Sequence, residues 1–250
     1  MKIIACLGLK RSGSTMQFAY VRKALDAASV KYTNLQFFTD ETIGDVDWDI
    51  VRAEGNAYVV LKSHDVRIVE ALPAEAELRI LFIHRDLRDA YLSAKEKWNY
   101  DESKISEMVG DYRQAMAYLE NRDDTLIQAY ECAFADQNTA ALEVANFIGV
   151  TVDENLMADA VGKSMKPSLL KRIAFRLIHN AAHLRQRVPI GKTWIEKKLI
   201  RPVSRGALKK MIDPESQVHP DHFSKREGAP GGWVELLSDE EKAVFRDFGF

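Results

Sequence analysis

The chain has 250 residues, of which 46% are hydrophobic and 29% are charged. These values are ordinary for a globular protein, so the composition excludes a disordered or fibrous chain, and the length predicts one large domain or at most two. Only two cysteines occur, Cys6 and Cys132, which argues against a disulfide framework and a cysteine-based metal site. No apolar run approaches the roughly 18 residues that a membrane span requires, and no signal-peptide cleavage pattern follows the start, so we expect a cytoplasmic protein.

Short apolar segments rich in β-branched and aromatic residues alternate with longer segments of helical periodicity. The strand-like segments are, in chain order, KIIACLG from residue 2, YTNLQFF from 32, AYVVLKS from 57, LRILFIH from 78 and TLIQAY from 125. The helical segments run from residue 14 to about 28, 86 to about 98, 102 to about 119, and 134 to 148. This alternation predicts an α/β fold in which a central parallel β-sheet of about five strands is flanked by helices.

The formal net charge of −2 conceals an uneven distribution of charge along the chain. The segment from Lys163 to Lys210 contains 14 Lys and Arg residues and a single acid, Glu196. This excess of positive charge favours an anionic partner, such as an acidic polymer or a membrane surface. The alternative is a core helix with a solvated basic face, because apolar residues recur at helical spacing between 170 and 188. We expect no nucleic-acid partner.

The first predicted strand is followed by the segment GLKRSGST, Gly8 to Thr15, which opens the first predicted helix. A glycine-rich turn before a helix N-terminus presents unpaired backbone N–H groups to an anion, and the helix dipole adds to the attraction. The segment departs from the ATP-binding pattern G-x-x-x-x-G-K-[ST], because Ser14 stands in the lysine position. The loop cation lies three residues earlier, at Arg11, with Lys10 beside it.

This loop resembles the 5′-phosphosulfate-binding loop of the sulfotransferases that use 3′-phosphoadenosine 5′-phosphosulfate (PAPS). Arg11, Ser12, Gly13, Ser14 and Thr15 match the K-S-G-T-T of that loop, with arginine in place of lysine. The resemblance implies that these five residues bind the phosphosulfate group of the donor. It also implies that the Arg11 guanidinium assists the transfer.

The segment LKSHDV at the end of the third predicted strand resembles the family's K-[TS]-H motif. The resemblance implies that His64 is the general base that removes the proton of the acceptor hydroxyl. An imidazole, which titrates near pH 6.5, suits that task. The resemblance also implies that Lys62 helps to neutralise the sulfuryl oxygens.

The segment HRDLRDAYLS resembles the family's 3′-phosphate motif R-x-P-x-D-x-x-x-S. Arg85 and Ser93 are eight residues apart, as in that motif, and Asp89 takes the aspartate position, whereas Leu87 replaces the proline. The resemblance implies that Arg85 and Ser93 bind the 3′-phosphate. Tyr130, in a Tyr-Glu pair similar to the family's, is expected near the adenine.

The segment SKREGAPGGW near the C-terminus resembles the family's R-K-G-x-x-G-x-W. Arg226, Gly228, Gly231 and Trp233 match this pattern, and Glu227 replaces the lysine. The resemblance implies that Arg226 and the backbone near Gly228 close over the 3′-phosphate.

Together these segments identify a member of the PAPS-dependent sulfotransferases, with PAPS as donor, 3′-phosphoadenosine 5′-phosphate (PAP) as product and no metal. We expect one domain over residues 1–250: an α/β core to residue 150, a basic helical part over 151–217, and a cofactor-closing loop and helix over 218–250. The acceptor would be a hydroxyl or amine of a small molecule or saccharide. Two alternatives stay open: a P-loop-type nucleotide kinase, and a catalytically weak nucleotide- or anion-binding module, which Glu227 and Met16 leave possible.

Overall fold

A computed structural model of the chain describes residues 1–162 and 228–250. Five strands form one parallel sheet in the order β2-β3-β1-β4-β5. The strands are β1 Lys2–Leu7, β2 Tyr32–Phe37, β3 Tyr58–Ser63, β4 Glu77–His84 and β5 Thr125–Ala129. Each lies within one residue of its predicted bounds, so the α/β fold expected from the sequence is confirmed.

Helices connect and cover these strands. The α-helices of the described residues are α1 Ser14–Ala27, α2 Asp40–Ile43, α3 Trp48–Ala53, α4 Leu87–Trp98, α5 Ser103–Leu119, α6 Tyr130–Ala135, α7 Gln137–Ile148, α8 Glu154–Gly162, α9 Trp233–Leu236 and α10 Asp239–Asp247. A 3₁₀ helix spans Val66–Ala71. In the described ranges no helix has the length and apolar content needed to cross a bilayer.

One helix prediction needs correction. The segment predicted to be a single helix from residue 134 to 148 is divided at Asp136, whose backbone leaves the helical region at φ −134° and ψ 87°. The Asp136 side chain accepts a hydrogen bond from the Thr139 N–H and so caps a new helix, α7. The end of that helix is as predicted, because Gly149 takes the left-handed conformation of a C-cap at φ 77°.

The central strand β1 divides the core into two layers because alternate side chains point to opposite faces. Ile4 and Cys6 pack with α1, α7 and α8, whereas Ile3, Ala5 and Leu7 pack with α2, α3, α5 and the 3₁₀ helix. All five side chains are fully buried. Burial of each Ile or Leu side chain contributes about 1.5–3 kcal/mol, which makes β1 the rigid centre from which the following loop projects.

The C-terminal helix α10 packs on α4 beyond the carboxyl end of the sheet. The rings of Tyr91 and Phe245 meet edge to face with centroids 5.7 Å apart. The Glu241 carboxylate accepts hydrogen bonds from the Tyr91 hydroxyl at 2.8 Å and from Lys95 Nζ at 2.6 Å. These contacts attach the end of the chain to the helix that carries Ser93.

Candidate active site

The motif residues of the described ranges converge at the carboxyl edge of the sheet. The β1–β3 register aligns Leu7 with Ser63, and the β4–β5 register aligns His84 with Ala129. The loop after β1, the residues that end β3, and those that follow β4 and β5 therefore lie side by side. Ligands of open α/β sheets bind at this edge.

The loop between β1 and α1 has a tightly constrained backbone. Gly13 has φ 98°, and a side chain there would overlap the ring of Tyr130. Arg11 also has a positive φ, 69°, a conformation that costs a residue with a side chain about 1–2 kcal/mol. Ser12 is buried, and its hydroxyl donates to the Leu9 carbonyl at 2.8 Å, which closes the turn. Such strain is retained where the surrounding structure or a function requires it.

The first turn of α1, which faces the loop, contains no acidic side chain. Gly13 has no side chain with which to cap the helix, and the first turn, which contains Ser14 and Thr15, has no acidic residue. Ser14 is buried and Thr15 is partly exposed. The first N–H groups and the positive end of the helix dipole therefore favour an anion here.

Lys62 supplies a buried cation to the same place from the neighbouring strand. Its Nζ donates to Thr15 Oγ1 at 2.5 Å, and its side chain is 7% exposed. Burial lowers the pKa of Lys62 to about 8, because the low-dielectric surroundings disfavour the ammonium form. An anion bound in the loop would raise this pKa again and would be stabilised by the charge.

His64 is held in one tautomer beside the loop. Its Nδ1 lies 2.7 Å from the carbonyl oxygen of Gly8, and we assign the proton to Nδ1 because a carbonyl can only accept. The Nε2 lone pair is then able to take a proton. The pKa of His64 is lowered to about 4, chiefly by burial and in smaller part by the charges of Lys62 and Lys10, against the opposing effect of the Gly8 carbonyl. The imidazole is therefore neutral at pH 7.

Arg85 places a buried guanidinium beside the C-terminal segment. Its side chain is 5% exposed, and its Nη2 donates to the carbonyl oxygens of Gly228 at 3.2 Å and Ala229 at 3.3 Å. Among the described residues, Nε meets no hydrogen-bond acceptor. A buried N–H group without an acceptor costs about 1–3 kcal/mol, so this side chain is suited to an anionic ligand.

Ser93 and Arg11 are in direct contact. The Arg11 Nε donates to the Ser93 hydroxyl at 2.9 Å, and Ser93 is buried on α4. The Arg11 guanidinium also lies 5.8 Å from the ring of Trp98, which is 42% exposed. The loop arginine thus points towards the segment expected to bind the 3′-phosphate.

Tyr130 joins the loop to the C-terminal segment. Its hydroxyl donates to the Gly228 carbonyl at 2.9 Å, and the Arg85 guanidinium lies 4.5 Å from its ring centroid. Gly228 has φ 89°, and a side chain there would approach the Tyr130 hydroxyl to 2.5 Å. Arg226 and the basic segment lie outside the described residues.

Two residues near the site had no role assigned to them from the sequence. The ring of Phe37, which is 44% exposed, has its centroid 5.2 Å from that of His64. Asp89 accepts hydrogen bonds from backbone N–H groups of the C-terminal segment. Phe37 ends β2, so knowledge of the strand order would have indicated its position. The aspartate was visible as a motif match but without a role.

No protein-family model matches the chain, and no curated protein matches it by sequence. Solved structures that are similar to it include the following two. A mouse sulfotransferase, SULT7A1, complexed with PAP is 14% identical with a TM-score of 0.57, and the match covers 98% of this chain and 82% of that one. A retinol dehydratase in complex with androsterone and inactive cofactor PAP is 14% identical with a TM-score of 0.51, and the match covers 100% of this chain and 80% of that one. The chain therefore has the fold of the PAPS-dependent sulfotransferases, as its motifs predicted.

Proposed function

We propose that the chain is a PAPS-dependent sulfotransferase that moves a sulfuryl group to a hydroxyl or amine acceptor, with His64 as the general base. The observation that carries this proposal is the position of a neutral imidazole, with Nε2 able to accept a proton, beside a loop built to hold an anion. The PAP bound to two proteins of the same fold supports the nucleotide part of the proposal.

The hydrogen-bond donors and cations of the site fit a nucleotide with phosphate groups at both its 5′ and 3′ positions. The 5′ end would contact the N-terminus of α1 and Lys62, and the 3′-phosphate would contact Arg85 and Ser93. The support is the buried Arg85 Nε, which has no acceptor among the described residues and needs one. Arg226 would add a further cation, as its motif implies.

PAPS, when bound, supplies a sulfuryl group that is already activated for transfer. The protein has then to align the acceptor with this group and to stabilise negative charge, as in phosphoryl transfer. Lys62 and the N–H groups of α1 stabilise charge near the reacting centre. In this structure the Arg11 guanidinium reaches Ser93, which supports a role for Arg11 in joining the two ends of the nucleotide site.

His64 removes the proton of the acceptor hydroxyl or amine. The acceptor O–H bond breaks as its proton passes to Nε2, and the resulting imidazolium keeps its hydrogen bond to the Gly8 carbonyl. Proton transfer by a positioned base typically contributes 10²- to 10⁴-fold to the rate, roughly 3–5 kcal/mol.

The acceptor would approach from the side of Phe37, whose exposed ring adjoins His64. A small-molecule acceptor is supported by the androsterone in one neighbouring structure, and a saccharide remains the alternative. The segment Lys163 to Lys210, outside the described residues, would attract an anionic polymer or membrane surface.

The nucleotide kinase alternative is not favoured. A kinase loop carries its lysine in the position that Ser14 occupies here, and the cation nearest Thr15 comes instead from Lys62 on β3. The test is formation of PAP from PAPS when a panel of hydroxyl- and amine-bearing compounds is added. We expect acceptor-dependent PAP formation that His64→Ala slows at least about 100-fold. Transfer of phosphate from ATP under the same conditions would overturn the proposal.

A further inference from the structure

The Asp89 carboxylate holds the C-terminal segment against α4. Asp89 is 1% exposed, and its Oδ2 accepts a hydrogen bond from the Gly231 N–H at 2.5 Å. Its Oδ1 accepts a second hydrogen bond, from the Trp233 N–H at 3.2 Å. Hydrogen bonds from backbone N–H groups to a buried carboxylate are among the strong, charge-assisted ones.

Hydrogen-bond donors hold the other end of the same C-terminal segment. The carbonyl oxygen of Gly228 accepts from Tyr130 Oη and from Arg85 Nη2, and the Ala229 carbonyl accepts from the same Arg85 nitrogen. Donors from the ends of β4 and β5 thus hold the carbonyls of the segment. Asp89, which lies four residues after Arg85, accepts hydrogen bonds from the backbone N–H groups of the segment.

The segment needs these contacts because its backbone is costly to order. Gly228 and Gly231 both take positive φ values, 89° and 83°, and glycine loses more conformational freedom on ordering than any other residue. The Arg88 guanidinium adds a contact by lying 3.8 Å from the ring centroid of Trp233.

We propose that Asp89 is a positioning residue for the 3′-phosphate, because it fixes residues 228–233 so that the Arg85 Nε and the backbone near Gly228 face one anion together. This inference rests on the proposed function. It assigns to the motif aspartate a role in selecting nucleotides that carry a 3′-phosphate. A nucleotide with a 5′-phosphate alone would use the loop and Lys62, and its binding would not depend on Asp89.

The test compares the affinities of PAP and adenosine 5′-phosphate (AMP) for the full-length chain. Asp89→Asn keeps the shape of the side chain but sets an amide NH₂ against one of the two backbone N–H groups. We expect PAP affinity to fall roughly tenfold or more, the effect of losing one charge-assisted hydrogen bond, while AMP affinity changes by less than about twofold. The ratio of the two affinities separates positioning from a general loss of stability.

Glu241→Gln is the matched control. Glu241 is 4% exposed and also ties the C-terminal part to α4, but it does so from α10, through Tyr91 and Lys95 of α4, rather than through residues 228–233. We expect this variant to melt at a lower temperature and to keep the wild-type ratio of PAP to AMP affinity. An equal change of the ratio in both variants, or no change in Asp89→Asn, would overturn the inference.

Hydrogen exchange of the wild-type protein gives a second test that does not need the variant to fold. The amides of Gly231 and Trp233 should exchange slowly without nucleotide and still more slowly with PAP, but not with AMP. Exchange of both amides at the rate of an unfolded chain would contradict the role of Asp89. If the wild type binds neither PAP nor AMP, the proposed function fails, and the slow exchange without nucleotide still reports the Asp89 contacts.

Discussion

The Nδ1 of His64 lies 2.7 Å from the carbonyl oxygen of Gly8, the first residue of the anion-binding loop. This contact joins the candidate base to the site of the candidate donor, because the same turn that presents N–H groups to an anion also orients the imidazole. A side chain at Gly8 would approach the Ser12 hydroxyl to 2.7 Å and the Ile83 carbonyl to 2.9 Å, so the turn depends on glycine there. The position of the His64 imidazole therefore depends on the conformation of the loop.

Replacing His64 by alanine should lower turnover at least about 100-fold and leave PAP affinity within about twofold, because the base acts on the acceptor and not on the nucleotide. Single-turnover kinetics and calorimetry measure the two quantities separately. Unchanged turnover would move the base elsewhere, with the Asp65 carboxylate the next candidate. Arg67 already lowers the pKa of that carboxyl, which makes it a weaker base.

The acid side of the pH profile should report the lowered pKa of His64. The base works only when it is neutral, and the folded protein holds its pKa at about 4, so kcat/KM should stay level from pH 7 down to about pH 5 and fall below that. An ordinary exposed histidine would instead produce a fall that begins near pH 6.5. A profile of kcat/KM against pH that falls with an apparent pKa near 6.5 would show that His64 is not buried in this way.

The alkaline side should report Lys62. Its ammonium is needed in the charged form, and its pKa in the free protein is about 8, so kcat/KM should fall as the pH rises through that value. Lys62→Arg keeps the positive charge at every accessible pH and should remove this limb, although the larger side chain will lower the absolute rate. The comparison of the two profiles is the measurement, and an alkaline limb that persists in Lys62→Arg would assign it to another group.

Phe37 should contribute to acceptor binding. Its ring is 44% exposed and adjoins His64, so Phe37→Ala should raise the KM of a ring-bearing acceptor roughly three- to tenfold while PAP affinity stays the same. Ile50→Ala is the control, because Ile50 is 62% exposed on α3 and lies outside the proposed machinery. Steady-state kinetics with the acceptor varied would measure the effect. An equal KM in wild type and Phe37→Ala would place the acceptor elsewhere.

The sequence predicted the strands and the edge at which the site forms because both depend on local pattern. The motifs of residues 8–15, 62–64, 85–93 and 130–131 lie at the carboxyl end of a strand or directly after it, and parallel strands bring these ends together. The direction of the Arg11 side chain was not predictable, since it depends on a positive φ and on a partner, Ser93, that is 82 residues away. The proximity of Phe37 to His64 likewise depends on the strand order.

The break at Asp136 escaped prediction for a different reason. The helical periodicity continues across it, and the segment is divided where the Asp136 side chain accepts hydrogen bonds from the N–H group and the hydroxyl of Thr139. Local competition between a side chain and the helix backbone leaves little trace in periodicity. The roles of Arg226 and of the segment Lys163 to Lys210 stay predictions.

The most direct test of the account is calorimetry of PAP and ATP binding, in EDTA and then with Mg²⁺, to wild type, Arg85→Ala and Arg79→Ala. Arg79 is the matched control because it lies on β4, the strand that Arg85 directly follows, but pairs with Glu77 at the opposite end. We predict that PAP binds without metal, that Arg85→Ala weakens it at least about tenfold and that Arg79→Ala does not. Absence of PAP binding, or preferential binding of ATP once Mg²⁺ is added, would contradict the assignment of this site to a PAPS-dependent sulfotransferase.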